Sequence, residues 1–209
     1  WLLAGTGAFY KGPLYSYLLA PLLSVFGNDG GVAVGRLLSV ALGTLTVALV
    51  ANLAGRLAGP RAAWLAGLTA AAYGTAIYFD TTLLLVPVVT ILLFLAGERL
   101  MAASAAERPE LPLASAGALL GLVTLTRANG LLAVVAAAAW AFLLARRWAW
   151  PALPAWRAAA LIAMPALLVI APVTARNAVL EGDPVIVSWN GGINLFMGND
   201  PAFDQGSGN

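Results

Sequence analysis

The sequence predicts an all-α integral membrane protein, a multi-pass helical bundle with a short extramembrane segment at its C-terminal end, and three observations predict it. The 209-residue chain is 61% hydrophobic and only 10% charged, with a mean hydropathy of +0.89, where a soluble domain carries about 25% charged residues. Apolar runs approaching the ~20 residues that a helix needs to cross the hydrocarbon core recur along most of the chain. Cations gather at every second connection between those runs, which is how loops on one side of a membrane are marked. A cleaved signal peptide does not account for a repeated pattern, and no stretch reads as a separate soluble domain. Because the sequence opens on Trp1 and stops in the polar run "DQGSGN", it is expected to be a fragment of a longer polypeptide.

Each element follows from where charge and proline interrupt the apolar runs. Residues 13–26 are too short to span and are broken by Pro13 and Pro21, so they read as a re-entrant or interfacial helix, or as the end of a span. Six charge-free runs, at about 37–55, 62–79, 81–97, 111–126, 128–145 and 158–175, are the candidate spans. They are rich in Ala, Gly and Thr, which lets helices approach closely in lipid, and Gly117 with Gly121 makes a GxxxG pair suited to packing within the molecule. The expected organisation is an outer-face loop with a re-entrant or juxtamembrane helix over 1–31, a transmembrane bundle over 32–175 and an outer loop segment over 176–209.

Orientation follows from the loops. Arg56 and Arg61 mark the first connection, Arg99 and Arg108 the third, and Arg146, Arg147 and Arg157 the fifth, and the positive-inside rule assigns these to the cytoplasm. Trp148, Trp150 and Trp156 fit an interfacial belt on that side. The opposite side receives Lys11, Arg36, Arg127 and Arg176 with Asp29, Asp80, Glu181, Asp183, Asp200 and Asp204. Asp80 and Arg127 stand in connections of almost no length, where an ionisable group faces a cavity or a partner and is a functional candidate. The alternative for both, and the better reading for Arg36, is snorkelling to the headgroups or structural pairing.

The chain has no cysteine and no histidine, so thiolate and imidazole nucleophiles, Cys/His metal sites and histidine bases are excluded within these residues. A formal charge of +2 without a basic stripe or tail argues against nucleic acid as a partner. What remains is a constellation on the outer face: Lys11, Arg127 and Arg176 with the carboxylate of Asp80. Lys supplies a point charge and Arg a planar donor fork to phosphate oxygens, so an anionic lipid headgroup is the ligand such a set suits. A nearby carboxylate can orient or deprotonate a hydroxyl.

After the last span, residues 185–187 read as a short strand or extended loop, followed by a turn at "NGG". Asn190 and Asn194 there, with Tyr10 and Tyr15 near the start, are candidates for a sugar or acceptor loop. The alternative is a well-turned loop whose amides satisfy their own backbone.

The ordered set "YKGPLYSYLLAPLLSVFG", "RLLSVALGTLTVALVANLAGRLAGPRAAWLAG", "YFDTTLLL", "LTRANGLL" and "ARNAVLEGDPVIVSWNGGINLFMGNDP" closely resembles the bacterial family 39-type membrane glycosyltransferases of the GT-C class. Their relatives are the protein O-mannosyltransferases and the lipid A aminoarabinose transferases, and the resemblance covers essentially the whole chain. It implies a GT-C-type bundle in a bacterial inner membrane. Such an enzyme takes a sugar from a polyprenyl-phosphate carrier at the periplasmic face and transfers it, normally with inversion, to a hydroxyl of a lipid, glycan or protein acceptor. By the same resemblance Lys11, Arg127 and Arg176 contact the donor phosphate, and Asp80 matches a carboxylate near the donor site. The principal catalytic carboxylate of the family is expected upstream of Trp1. Where many relatives carry an acidic residue before the proline of "LLLVPVV", this chain has Val86. No cofactor is expected beyond the lipid-linked sugar, which is substrate, and nothing in the sequence indicates a metal. The competing reading is a membrane protein that binds or flips the polyprenyl-phosphate carrier without transferring a sugar, which needs the cations but no base. A secondary transporter would show an inverted repeat, and none is visible.

Overall fold

The computed structural model describes residues 9, 11–147, 150, 152–181, 185–188, 196 and 199. Seven helices follow one another among them: α1 (Leu14–Ala58), α2 (Pro60–Ala71), α3 (Gly74–Thr81), α4 (Val86–Ser104), α5 (Glu110–Thr126), α6 (Gly130–Arg147) and α7 (Ala155–Glu181). Four of these, α1, α4, α6 and α7, are long and apolar enough to cross a membrane. The pair α2 and α3 makes a fifth as a broken span, and α5 is apolar but shorter.

A straight helix of 45 residues would be about 67 Å long, more than twice the ~30 Å hydrocarbon core. The first element is not one rod. Gly27 takes φ 71° and ψ 179°, a left-handed conformation that glycine adopts without steric cost, and the chain folds back there. Gly31 packs on the backbone of Leu23, Gly35 on the side chain of Leu19, and the Tyr15 hydroxyl faces Ser39. On a straight helix those pairs would be about 12, 24 and 36 Å apart. Residues 14–26 and 28–58 are therefore the two arms of an antiparallel helical hairpin. Its seam is Gly31, Gly35 and Ser39, small at every fourth residue, which lets backbones meet closely, and the same buried stripe continues to Gly43, which meets Asp80.

The helices overrun several of the expected boundaries, α1 being helical from 28 rather than 37, α4 to Ser104 and α7 to Glu181, and two further differences have a local cause. The expected span 62–79 breaks at Ala72 and Tyr73, where the axis bends by 56°; Tyr73 is extended, and Gly74 after it is a weak helix former. The expected start at 81 moves to Val86 because Pro87 lies in the first turn of α4, where its missing N–H costs nothing. Asp80 consequently belongs to the last turn of α3 rather than to a bare connection.

The centre of the bundle is α5 against α7, running parallel. Gly117 meets the carbonyl of Ile162 and Gly121 meets Ala166, with Leu113, Leu120, Val123, Ile162, Ala166 and Ile170 buried around them. A side chain at Gly117 would strike α7 backbone. Gly117→Val is expected to destabilise the bundle by about 1–3 kcal/mol, seen as a thermal midpoint in detergent lowered by roughly 2–10 °C.

The ends of the bundle differ in charge. At one end Arg56 pairs with Glu98 at 3.5 Å. Trp150, expected in an interfacial belt, is instead 3% exposed and donates from Nε1 to the carbonyl of Ala103 at 3.1 Å. It closes the bundle there, its indole N–H finding the partner that a buried indole needs. Trp156 is exposed, and Trp148 lies outside the described residues. The other end carries Lys11, the turn before α4 and the α5 to α6 connection.

Candidate functional site

Lys11 and Arg127 line one cavity of about 290 Å³ at that second end. Its other walls are Gly12, the turn Leu84 to Val86, the α5 to α6 connection from Thr126 to Asn129, and Ser188 from the C-terminal segment. Each wall has a local cause. Arg127 caps α5 in an extended conformation, its N–H donating to the carbonyl of Val123 at 2.8 Å, so the chain leaves the helix axis. Its own carbonyl accepts from Gly130 at 2.8 Å, which starts α6 within three residues. Gly12 rests on the end of α5: a Cβ there would come within 2.5 Å of the carbonyl oxygens of both Leu125 and Thr126. Only glycine allows the chain to lie so close, and the side chain before it, Lys11, is thereby set at the cavity.

The electrostatics favour an anion. Both cations are exposed, and neither has an ion-pair partner among the described residues. The N-termini of α4 at Val86 and of α6 at Gly130 open at the same cavity, and helix N-termini carry partial positive charge. The C-terminal end of α5 opposes this, with Arg127 placed over it. The Thr126 hydroxyl is spent on the carbonyl of Leu122 at 2.8 Å, so the walls offer charge rather than hydroxyl donors there.

Asp80 does not line this cavity. Its carboxylate packs on Gly43 of α1, in contact with the space where a side chain would be, and it borders two crevices of about 240 Å³ and 140 Å³ between α1, α2, α3 and α4. The smaller crevice reaches Val86, which also lines the cationic cavity. Asp80 and Lys11 therefore border different spaces whose walls share Val86. Among the described residues Asp80 has no ion-pair partner.

Arg176 is near the cavity but not in its wall. Its guanidinium lies over the Phe9 ring at 4.1 Å from the centroid, a cation–π distance, and its Nη1 is buried with no hydrogen-bond partner among the described residues. Tyr15 is inside the α1 hairpin, its hydroxyl buried, and does not reach the cavity lining. Tyr10, Asn190 and Asn194 lie outside the described residues. Residues 185–188 form no strand; they run irregularly beside α7.

The residue that sequence reasoning passed over is Asn177. It is fully buried, donates from Nδ2 to the carbonyls of Val185 and Val187 at 3.1 Å each, and accepts at Oδ1 from the N–H of Phe9 at 3.4 Å. The signal was present in "ARN", an amide inside an apolar helix, which is rarely without a role.

Comparison with known proteins adds one match. No curated protein and no solved structure matches the chain, whereas residues 10–175 match the family model described as dolichyl-phosphate-mannose-protein mannosyltransferase. The matched stretch contains Lys11, Asp80 and Arg127 and stops one residue before Arg176. A match over most of the length, on a multi-pass helical bundle, with Lys11 and Arg127 of the cavity inside the matched stretch, establishes that the chain belongs to this GT-C-type family of membrane glycosyltransferases.

Proposed function

We propose that this chain forms the donor side of an enzyme that takes a sugar from a polyprenyl-phosphate carrier and passes it to a hydroxyl of a lipid, glycan or protein acceptor, with inversion. The observation that supports it is the cavity in which Lys11 and Arg127 meet at two helix N-termini. At about 290 Å³ it is near the lower limit of small-molecule sites, a size for a phosphate with one sugar. In this reading both cations hold the phosphate oxygens and Arg176 approaches behind Phe9. The acceptor oxygen attacks the anomeric carbon, and the bond from that carbon to the phosphate oxygen breaks. The carrier leaves as polyprenyl phosphate, whose growing charge the cations stabilise. The hydroxyl proton passes to a carboxylate, for which Asp80 is the candidate within this chain. Tyr10, Tyr15, Asn190 and Asn194 are proposed for the sugar or acceptor side. The cavity faces the periplasm of a bacterial inner membrane, the Arg56 end faces the cytoplasm, and the short arm of the α1 hairpin, residues 14–26, lies on the outer side.

A second reading has one observation in its favour: among the described residues no carboxylate lines the cavity, as suits a protein that binds or flips the carrier without transfer. Full-length protein in proteoliposomes, given polyprenyl-phosphate sugars and an acceptor-containing membrane extract, decides between them. Release of polyprenyl phosphate that requires the extract supports transfer. Binding of polyprenyl phosphate with no release from any donor sugar supports the second reading.

Orientation has its own test, and these 209 residues hold no native cysteine to compete in it. Single-cysteine variants Arg108→Cys and Asn129→Cys, both at exposed positions, are expected to react with impermeant thiol reagent from opposite sides, Asn129→Cys from outside. Labelling of both from the same side overturns the assignment of faces.

A further inference from the structure

We propose that Asn177 is a positioning residue for the anion cavity: by joining the segment before Lys11 to the segment before Ser188, it sets the distance across the cavity mouth. The proposal rests on the reading of the cavity as the carrier-phosphate site. Asn177 uses both of its amide hydrogens and its oxygen on backbone groups, and this donor and acceptor pattern fits only one orientation of the amide. Thr174, on the same face of α7, donates to the carbonyl of Ile186 at 2.6 Å. Three successive carbonyls, of Val185, Ile186 and Val187, are thus bound by two side chains of one helix. The next residue, Ser188, lines the cavity.

On the other side Asn177 holds the N–H of Phe9, and Arg176 holds its ring. Two residues later Lys11 lines the same cavity, and Gly12 is seated on the α5 carbonyls. The Lys11 backbone is therefore pinned at both ends, at Phe9 by α7 and at Gly12 by α5, while its side chain stays exposed. An exposed lysine has many rotamers, and fixing its backbone is how a flexible cation is given a defined reach. A purely structural asparagine would stabilise the helix end without regard to Lys11.

The test is a double-mutant cycle in the full-length protein, read by binding of polyprenyl phosphate in mixed micelles. Asn177→Leu keeps the volume and removes all three hydrogen bonds, and it is expected to weaken binding about tenfold with Lys11 present. In the Lys11→Ala background it is expected to weaken binding less than about twofold, because the contact it positions is already gone. Equal weakening in both backgrounds overturns the proposal and leaves Asn177 a structural residue. If Asn177→Leu does not fold, Gly12→Ala makes the same test from the α5 side, by lifting the Lys11 backbone off the α5 carbonyls rather than replacing a fully buried side chain. A second readout is independent of ligand: spin labels on Lys11→Cys and Ser188→Cys should give a distance distribution that broadens when Asn177→Leu or Gly12→Ala is added. An unchanged distribution overturns the proposal. Absence of polyprenyl phosphate binding in the unmodified protein overturns the reading of the cavity instead, and the distance measurement still decides whether Asn177 sets its mouth.

Discussion

Lys11→Ala is expected to weaken polyprenyl phosphate binding roughly 10- to 100-fold, the range for removing a hydrogen bond between charged groups, while leaving the thermal unfolding of the protein in detergent unchanged. The second half of that expectation follows from the structure: Lys11 is exposed and, among the described residues, has no ion pair. Transfer should fall by more than binding does, because the leaving phosphate carries more charge in the transition state than in the bound donor. Raising the ionic strength should narrow the difference between the two proteins, since the lost contact is exposed to screening. Lys11→Arg is expected to recover only part of the loss. Its charge is retained, but the planar fork is longer and differently hydrated, and Gly12 on the α5 carbonyls leaves the backbone no room to withdraw. Affinity unaffected by Lys11→Ala would remove this residue from the site and leave Arg127 as the cavity's cation.

The membrane bundle was legible in the sequence because the solvent writes it there. Lipid demands apolar runs of a minimum length, and the interrupting cations mark alternate loops. The runs at 111–126 and 128–145 correspond within a few residues to α5 and α6. The α1 hairpin was not legible in the same way. Its arms are both apolar, so hydropathy sees a short run and a long one, while the fold-back depends on Gly27 and on a stripe of small residues whose partner, residues 15–23, lies immediately upstream. The break between α2 and α3 was hidden for a related reason, since a single weak helix former inside an apolar run leaves the run intact.

At the site, the types of residue were readable and their grouping only in part. Alternation of loops sends Lys11, Asp80 and Arg127 to one end, but it is indifferent to the lateral placement of helices around the bundle. The structure puts Lys11 with Arg127 and gives Asp80 to a neighbouring crevice that shares Val86. Asn177 escaped notice because an uncharged amide leaves no mark on a charge-based reading. Its role is visible only when the carbonyls of Val185 and Val187 and the N–H of Phe9 are seen to converge on it.

Asp80→Asn separates the enzyme from the carrier-binding reading most sharply. Asparagine keeps the shape that packs on Gly43 and removes the basic oxygen, so if Asp80 takes the acceptor proton, transfer should fall roughly 10²- to 10⁴-fold while polyprenyl phosphate affinity changes less than about twofold. Affinity is insulated because Asp80 is not in the cavity wall and borders a neighbouring crevice instead. A purely spatial role predicts something different. In that case Asp80→Asn would be neutral, and Gly43→Ala, which forces a methyl group into the carboxylate, would lower stability without a selective loss of turnover. If instead the carboxylate acts chemically, Gly43→Ala should displace it and reduce turnover at unchanged phosphate affinity, reproducing Asp80→Asn in direction and falling short of it in size. Transfer that persists undiminished in Asp80→Asn removes Asp80 from the mechanism and assigns the proton to another base, while the cationic cavity and its test through Lys11 stand as they are.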